Sequence, residues 1–298
     1  MSTYERLTQV YQNSFEVPFD QTSRLILFSD VHRGDNSWAD DFAHNQSLFF
    51  SALEHYFKEG FTYIELGDGD ELWENKNFSD VRLAHSDIFW EMSEFYKLGR
   101  LHLLYGNHDM ERSDPKVVAE TLFSFFDERS GEKKPLFPNI MVHEGIILRH
   151  IPSNGTIFLV HGHQGDPIND QYWKIARFLC RSFWRQAQLI ALHDPTSPAK
   201  NFKKRDTIEN RILEWVRARN QPTIIGHTHA PSFPDEGAAP FYNDGCCVHP
   251  RCITGIEIDR GEMLLIKWWI RPDEEGRLSV VREILEGPRQ VQSLFAVG

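Results

Sequence analysis

Seven side chains able to ligate a metal ion, Asp30, His32, Asp68, Asn107, His161, His227 and His229, are spread along the chain in short motifs. The motifs read Ser29-Asp30-Val31-His32, Gly67-Asp68-Gly69-Asp70-Glu71, Gly106-Asn107-His108-Asp109, His161-Gly162-His163 and Gly226-His227-Thr228-His229. Carboxylate, amide and imidazole donors with no cysteine among them suit manganese, iron or zinc and argue against a closed structural zinc site. Phosphate hydrolysis by two divalent ions needs such donors, one carboxylate able to bridge the ions, and an open position for water or substrate. A lone aspartate at a strand end is commonly a helix cap, and a lone histidine is commonly a core residue. It is the ordered set that points to metal chemistry.

These residues must be gathered from distant segments. Each motif follows an apolar run with strand character: residues 25–28, 63–66, 101–105, 156–160 and 223–225. Helical periodicity is expected over 40–58, ending at Gly60, over 80–98, and from Pro115 to about residue 126, with a polar loop over 127–134. Ser2 and Glu5 form a capping-box pattern for an N-terminal helix. Further strands are expected over 140–143, 146–150, 253–258, 263–270 and 278–284. Strands alternating with helices, then runs of strands, imply a largely parallel sheet with a second sheet packed on it. Catalytic residues at the carboxyl ends of such strands converge on one edge. At an extended strand end Asp30 and His32 would point the same way, and so would His227 and His229.

The ordered motifs, over residues 25–252, resemble the calcineurin-like metallophosphoesterase superfamily. The resemblance implies an α/β fold, a four-layer αββα sandwich of two mixed sheets flanked by helices. It places Asp30, His32 and His229 on a first metal ion and Asn107, His161 and His227 on a second, with Asp68 bridging. It implies hydrolysis of a phosphate ester or pyrophosphate bond by in-line attack of a hydroxide shared by two divalent ions, manganese foremost. His108 is the expected general acid, paired with Glu71; Asp70 and Asp109 are the alternative carboxylates. His163 stands beside the set, as support for the ligands or by coincidence. The run Gly67-Asp68-Gly69-Asp70-Glu71-Leu72-Trp73 is similar to that of the UDP-2,3-diacylglucosamine pyrophosphatase branch, which has arginine in place of His108 and aspartate in place of His163.

The 298 residues are read as one catalytic domain, 1–298, with a helical insertion over 164–222. Within the insertion Lys174, Arg177, Arg181 and Arg185 make a basic stripe beside Trp173 and other aromatic residues. Arg177, Arg181 and Trp173 are the substrate-binding candidates, facing a phosphorylated small-molecule or lipid-linked substrate, and the stripe could also rest on an anionic membrane surface. Lys200, Lys203, Lys204 and Arg205 add a second cluster, and Asp206 with Glu209 suggests the cap of another helix. The net charge of −11 disfavours long-duplex nucleic acid. A nuclease on short single strands and a catalytically inactive scaffold are the rival readings. The N-terminus lacks a signal-peptide pattern, which implies a cytoplasmic protein. Cys180, Cys246, Cys247 and Cys252 show no metal-binding spacing and are expected to be reduced thiols.

Overall fold

Near-continuous apolar runs along the central strands, such as Leu25 to Phe28 and Ile157 to Val160, let each sheet bury both faces. The computed structural model describes residues 1–170, Tyr172, Trp173, Arg177 and residues 202–295. Its strands are β1 (Phe15–Phe19), β2 (Arg24–Phe28), β3 (Thr62–Leu66), β4 (Leu101–Leu104), β5 (Ser124–Asp127), β6 (Glu132–Pro135), β7 (Val142–His143), β8 (Gly145–His150), β9 (Thr156–Val160), β10 (Thr223–Ile225), β11 (Phe241–Asn243), β12 (Cys252–Asp259), β13 (Glu262–Pro272) and β14 (Leu278–Gln290). The helices are α1 (Thr3–Asn13), α2 (Gln46–Lys58), α3 (Phe78–Ala84), α4 (Ser86–Lys97), α5 (Pro115–Leu122), α6 (Pro167–Asp170) and α7 (Phe202–Arg219).

One mixed sheet runs in the order β14-β13-β12-β2-β3-β4-β7. Its β2, β3, β4 and β7 are parallel, and β12 to β14 extend it antiparallel from β2. The second sheet runs β1-β8-β9-β10-β11, with only the β8–β9 pair antiparallel. Between the sheets, Leu25 and Leu27 of β2 share an apolar cluster with Ile146, Leu159 and Ile224. On the other face of β2, Ile26 and Phe28 share a cluster with Phe49, Tyr56 and Phe95 from α2 and α4. The outer face of the second sheet is closed by α1 and α7, whose Leu7, Val10, Ile212 and Trp215 join Ile147, Phe158 and Val160. Helix, sheet, sheet, helix is the αββα sandwich expected, and burial of each such Leu, Ile or Phe contributes about 1.5–3 kcal/mol.

Several elements differ from expectation for local reasons. The helix expected from residue 40 begins at Gln46, because the Asp40 carboxylate accepts backbone N–H groups from Asn36, Phe42 and Ala43 and builds a loop. The helix expected over 80–98 is broken at His85, whose buried ring bonds Asp40 at 2.8 Å and Gln46 at 3.1 Å. The polar loop over 127–134 is largely a hairpin, since β5 and β6 pair antiparallel. Asp206 does not cap a helix: α7 already runs from Phe202, and Glu209 instead accepts a 2.6 Å hydrogen bond from Thr228 Oγ1. The N-terminal capping box forms as expected, with Ser2 and Glu5 bonding each other's backbone N–H. Among the described residues no helix is long and apolar enough to cross a membrane.

Candidate metal centre

The five motifs leave the carboxyl ends of β2, β3, β4, β9 and β10 and are laced together by backbone hydrogen bonds. Asp30 N–H donates to Gly67 O at 3.1 Å, His32 N–H to Asp68 O at 2.9 Å, and Gly226 N–H to His161 O at 3.0 Å. Asp30, His32, Asp68, His227 and His229 all adopt positive φ, between 50° and 63°. The pairs Asp30/His32 and His227/His229 are therefore not extended, which corrects the strand-alternation reading. Among the described residues the other non-glycine positions with positive φ are four asparagines and Arg260. Left-handed backbone is costly for Asp and His, and such strain concentrates at functional sites.

The same loops draw the side chains into two adjoining groups. Asp30, His32 and His229 offer ligand atoms within 4.8 Å of one another, and so do Asp68, His161 and His227. Asp68 joins the groups: its Oδ2 lies 3.2 Å from His161 Nε2 and 3.8 Å from His32 Nε2. Asp30 Oδ1 lies 3.0 Å from His229 Nε2 and 3.6 Å from His32 Nε2. Yet Asp30 Oδ1, His32 Nε2, Asn107 Oδ1, His161 Nε2 and His227 Nε2 are buried and make no aligned hydrogen bond, although Asp30 and His161 keep the close charge contacts just given. Each such orphan costs about 1–3 kcal/mol. A pair of cations would satisfy all of them at once, so this donor set fits divalent ions.

The remaining atoms of these side chains are held from behind. Asp30 Oδ2 accepts His227 N–H at 2.8 Å, and Asp68 Oδ1 accepts His108 N–H at 2.8 Å. His161 Nδ1 faces Leu66 O at 3.0 Å and His32 Nδ1 faces Glu71 at 3.0 Å, which leaves Nε2 of both rings turned inward. A Cβ at Gly106 would lie 2.1 Å from Asp68 Oδ1, and one at Gly226 2.1 Å from Ser29 Oγ, so only glycine permits these approaches. Burial opposes charge on His161 and His229, but Asp68 and Asp30 raise the rings to about 9 and about 10. His227, buried beside His161, is pushed down to about 3.

The family follows from the sequence running through these loops: the calcineurin-like phosphoesterase profile matches residues 23–231, from the start of β2 to just past His229. The chain belongs to the calcineurin-like phosphoesterase family. Among solved structures, Vps29 of Chaetomium thermophilum is similar at 10% identity, over 89% of this chain and 96% of that one, with a TM-score of 0.41. No curated protein matches the sequence.

In this member of the calcineurin-like family Glu71 is the carboxylate beside His108, with Oε2 2.6 Å from Nδ1. Burial would raise the Glu71 carboxyl, but His108 and His32 hold it down at about 2; burial likewise opposes charge on His108, which Glu71 and Asp68 raise. The alternatives are engaged elsewhere, Asp70 by Arg33 and Arg112, and Asp109 by the backbone N–H of Gly106 and Gly69. His163 is fully buried with both ring nitrogens unpartnered, near Glu144 and Asp170, but Arg6 already pairs with both of those acids. Arg177 pairs with Glu111, three residues past His108, at 2.6 Å and lies 4.6 Å over the Trp173 ring; neither residue belongs to the ligand groups. Arg181 lies outside the described residues.

Three nearby residues were not anticipated as site residues. Trp73 stacks on His108, Asn243 donates to Gly226 O and Thr228 Oγ1, and the buried Asp244 lies 2.7 Å from Ser29 Oγ. Burial raises the Asp244 carboxyl well above its ordinary range. The Ser29 hydroxyl sits between the two carboxylates, within donating reach of Asp244 Oδ1 and of Asp30 Oδ2. The signal existed: Phe241 and Tyr242 run into Asn243-Asp244-Gly245, the same pattern of apolar strand then acid and glycine.

Proposed function

We propose that this chain is a dinuclear metal-dependent phosphoesterase. Asp30, His32 and His229 hold one ion, Asn107, His161 and His227 the other, and Asp68 is shared. The observation that carries this reading is the gathering of Asp30, His32 and His229 and of Asp68, His161 and His227 into two adjoining groups, with buried unpartnered oxygen and nitrogen atoms on four of the five loops. Bound divalent ions supply Lewis acidity, neutralising charge on phosphoryl oxygens and making water nucleophilic. The mixed imidazole and oxygen donor set, free of thiolate, suits manganese, iron or zinc, and manganese is the first to try.

The protein's own groups position and protonate the substrate. Glu71, ionised between two imidazoles, holds a proton on His108 through Nδ1, and the opposite ring nitrogen is left to protonate the leaving oxygen. Substrate enters from the side where His32, His108 and His229 keep 11–24% side-chain exposure, since Asp30 and His161 close the opposite side. The Gly67-to-Trp73 run supports the pyrophosphate bond of a lipid-linked nucleotide sugar as the first substrate to try. The test is metal-stripped protein reloaded with manganese, iron or zinc and assayed on a phosphomonoester, a phosphodiester and a nucleoside diphosphate sugar. Metal-dependent turnover of one class is expected, and His108→Ala should keep its metals but lose about 10²–10⁴-fold with a poor leaving group. Turnover indifferent to metal refutes the reading.

A further inference from the structure

We infer that Trp73 is a positioning residue for His108, its indole clamping the imidazole in the orientation that delivers a proton to the leaving oxygen. The inference rests on His108 being the general acid. The rings stack with centroids 4.4 Å apart and planes 19° apart, and the His32 ring meets His108 edge-on at 4.6 Å and 85°. Glu71 holds His108 through Nδ1. A single contact fixes a point and leaves the ring able to swing about it. A flat indole against one face removes that swing, and a second ring set perpendicular narrows it further.

The indole is itself fixed by the carboxylate that pairs with His108. Glu71 Oε1 accepts the backbone N–H of Trp73 at 3.2 Å and of Glu74 at 3.3 Å, while Oε2 faces the two histidines. Asn75 closes the turn through both its backbone and side-chain nitrogens on Glu71 O, at 3.2 and 2.9 Å. Trp73 is only 7% exposed, so the ring is packed in place and not lying on the surface. Glu71, Trp73 and His108 thus form one unit, in which the turn sets the acid's partner and its clamp together.

The backbone N–H that holds Glu71 survives any side-chain change at position 73, so the stack can be removed without removing the Glu71 contact. In the full-length chain without added metal, carbon–proton NMR should show the His108 ring protons, assigned by comparison with His108→Gln, shifted upfield by the indole. Trp73→Leu should return them to ordinary positions, and Trp73→Phe should leave part of the shift. With manganese-loaded protein, Trp73→Leu should lower kcat about 10- to 100-fold on an alkyl phosphate ester, the scale of a misplaced catalytic group, with KM and metal content unchanged. On the nitrophenyl ester of the same class, whose leaving group needs no proton, kcat should fall by less than about threefold. Trp73→Phe should recover most of the loss. If His108→Ala fails to discriminate between the two esters, the general-acid reading falls. If His108→Ala discriminates but Trp73→Leu does not, or the ring protons do not move, the inference about Trp73 falls alone.

Discussion

Two buried polar regions lie side by side under the loops, and they are built in opposite ways. In the first, Arg33 donates to both oxygens of Glu65 at 2.6 and 2.8 Å and to Asp70 at 2.7 Å, Arg112 adds an ion pair to Asp70, and Tyr63 donates to Glu65 at 2.7 Å. In the second, Asp30, His32, Asn107, His161 and His227 each keep a buried atom without a hydrogen-bond partner, whereas among Arg33, Glu65, Asp70 and Arg112 only Arg112 Nε does. None of Arg33, Glu65, Asp70 and Arg112 has positive φ, whereas five of the proposed ligands do. The fold therefore knows how to satisfy buried charge. Where it leaves donors unsatisfied and bends the backbone to do so, the missing partner is a ligand, and stability is given up for it.

The comparison breaks first on Asp68. Asp68→Asn is expected to lower metal-dependent turnover by about a thousandfold or more, the scale of losing charge stabilisation in a transition state. Metal content measured on the purified protein should fall with it, while the unfolding midpoint of the metal-free protein stays level or rises. A lowered midpoint with metals still bound would make Asp68 part of the satisfied region instead. The converse holds for Arg33. Arg33→Met strands Glu65 and Asp70 and should cost about 3–5 kcal/mol in chemical denaturation of the metal-free protein. A loss under about 1 kcal/mol would mean that this network does not carry the loops.

A pH series sharpens the same contrast. Without metal, Asp30 and Asp68 keep His229 at about 10 and His161 at about 9, so both rings are protonated at neutral pH. A cation must displace those protons. Apparent metal affinity should therefore rise with pH up to about 9, by about tenfold per pH unit for each proton released, more gently from about 9 to about 10, and flatten above. Calorimetry in buffers of different ionisation heat counts the protons, and a pH-independent affinity would remove these two histidines from the ligand set.

The layers were legible in the sequence because each ligand motif sits where an apolar strand stops, and the strands before Asp30, Asp68, Asn107, His161 and His227 lie within a residue or so of expectation. Strand β1 was not read, since Pro18 interrupts its alternation; it is tolerated because β1 is an edge strand. Strand β6, Glu-Lys-Lys-Pro, is exposed throughout and carries no apolar signal. The left-handed backbone at the ligands had no decisive local signature either, because Asp and His visit it more than most residues yet adopt it only in a minority of places: long-range contacts such as His227 N–H to Asp30 select it. Trp73 was visible only as part of a motif, and its stack on His108 depends on two strands being neighbours.

The smallest effect concerns how the strained His227-Thr228-His229 loop is held from outside. Thr228 Oγ1 donates to Glu209 of α7 at 2.6 Å and accepts from Asn243 at 2.7 Å. Burial raises the Glu209 carboxyl, with Thr228 and Arg205 pulling the other way. A carboxyl whose folded pKa lies above its unfolded value favours folding in acid, and that contribution fades as pH climbs through the two values. As pH climbs Glu209 thus ionises at some cost, and Glu209→Gln keeps an oxygen to accept from Thr228 while removing the charge. The variant should be level with the parent or more stable by under about 1 kcal/mol at pH 7, with the difference closing near pH 4 where the parent is itself protonated. Thermal denaturation at the two pH values reads it. A Glu209→Gln protein that is less stable at pH 7 than at pH 4, relative to the parent, would show that the ionised carboxylate is needed to hold the loop, and the outside support would then belong with the charge-paired region around Arg33.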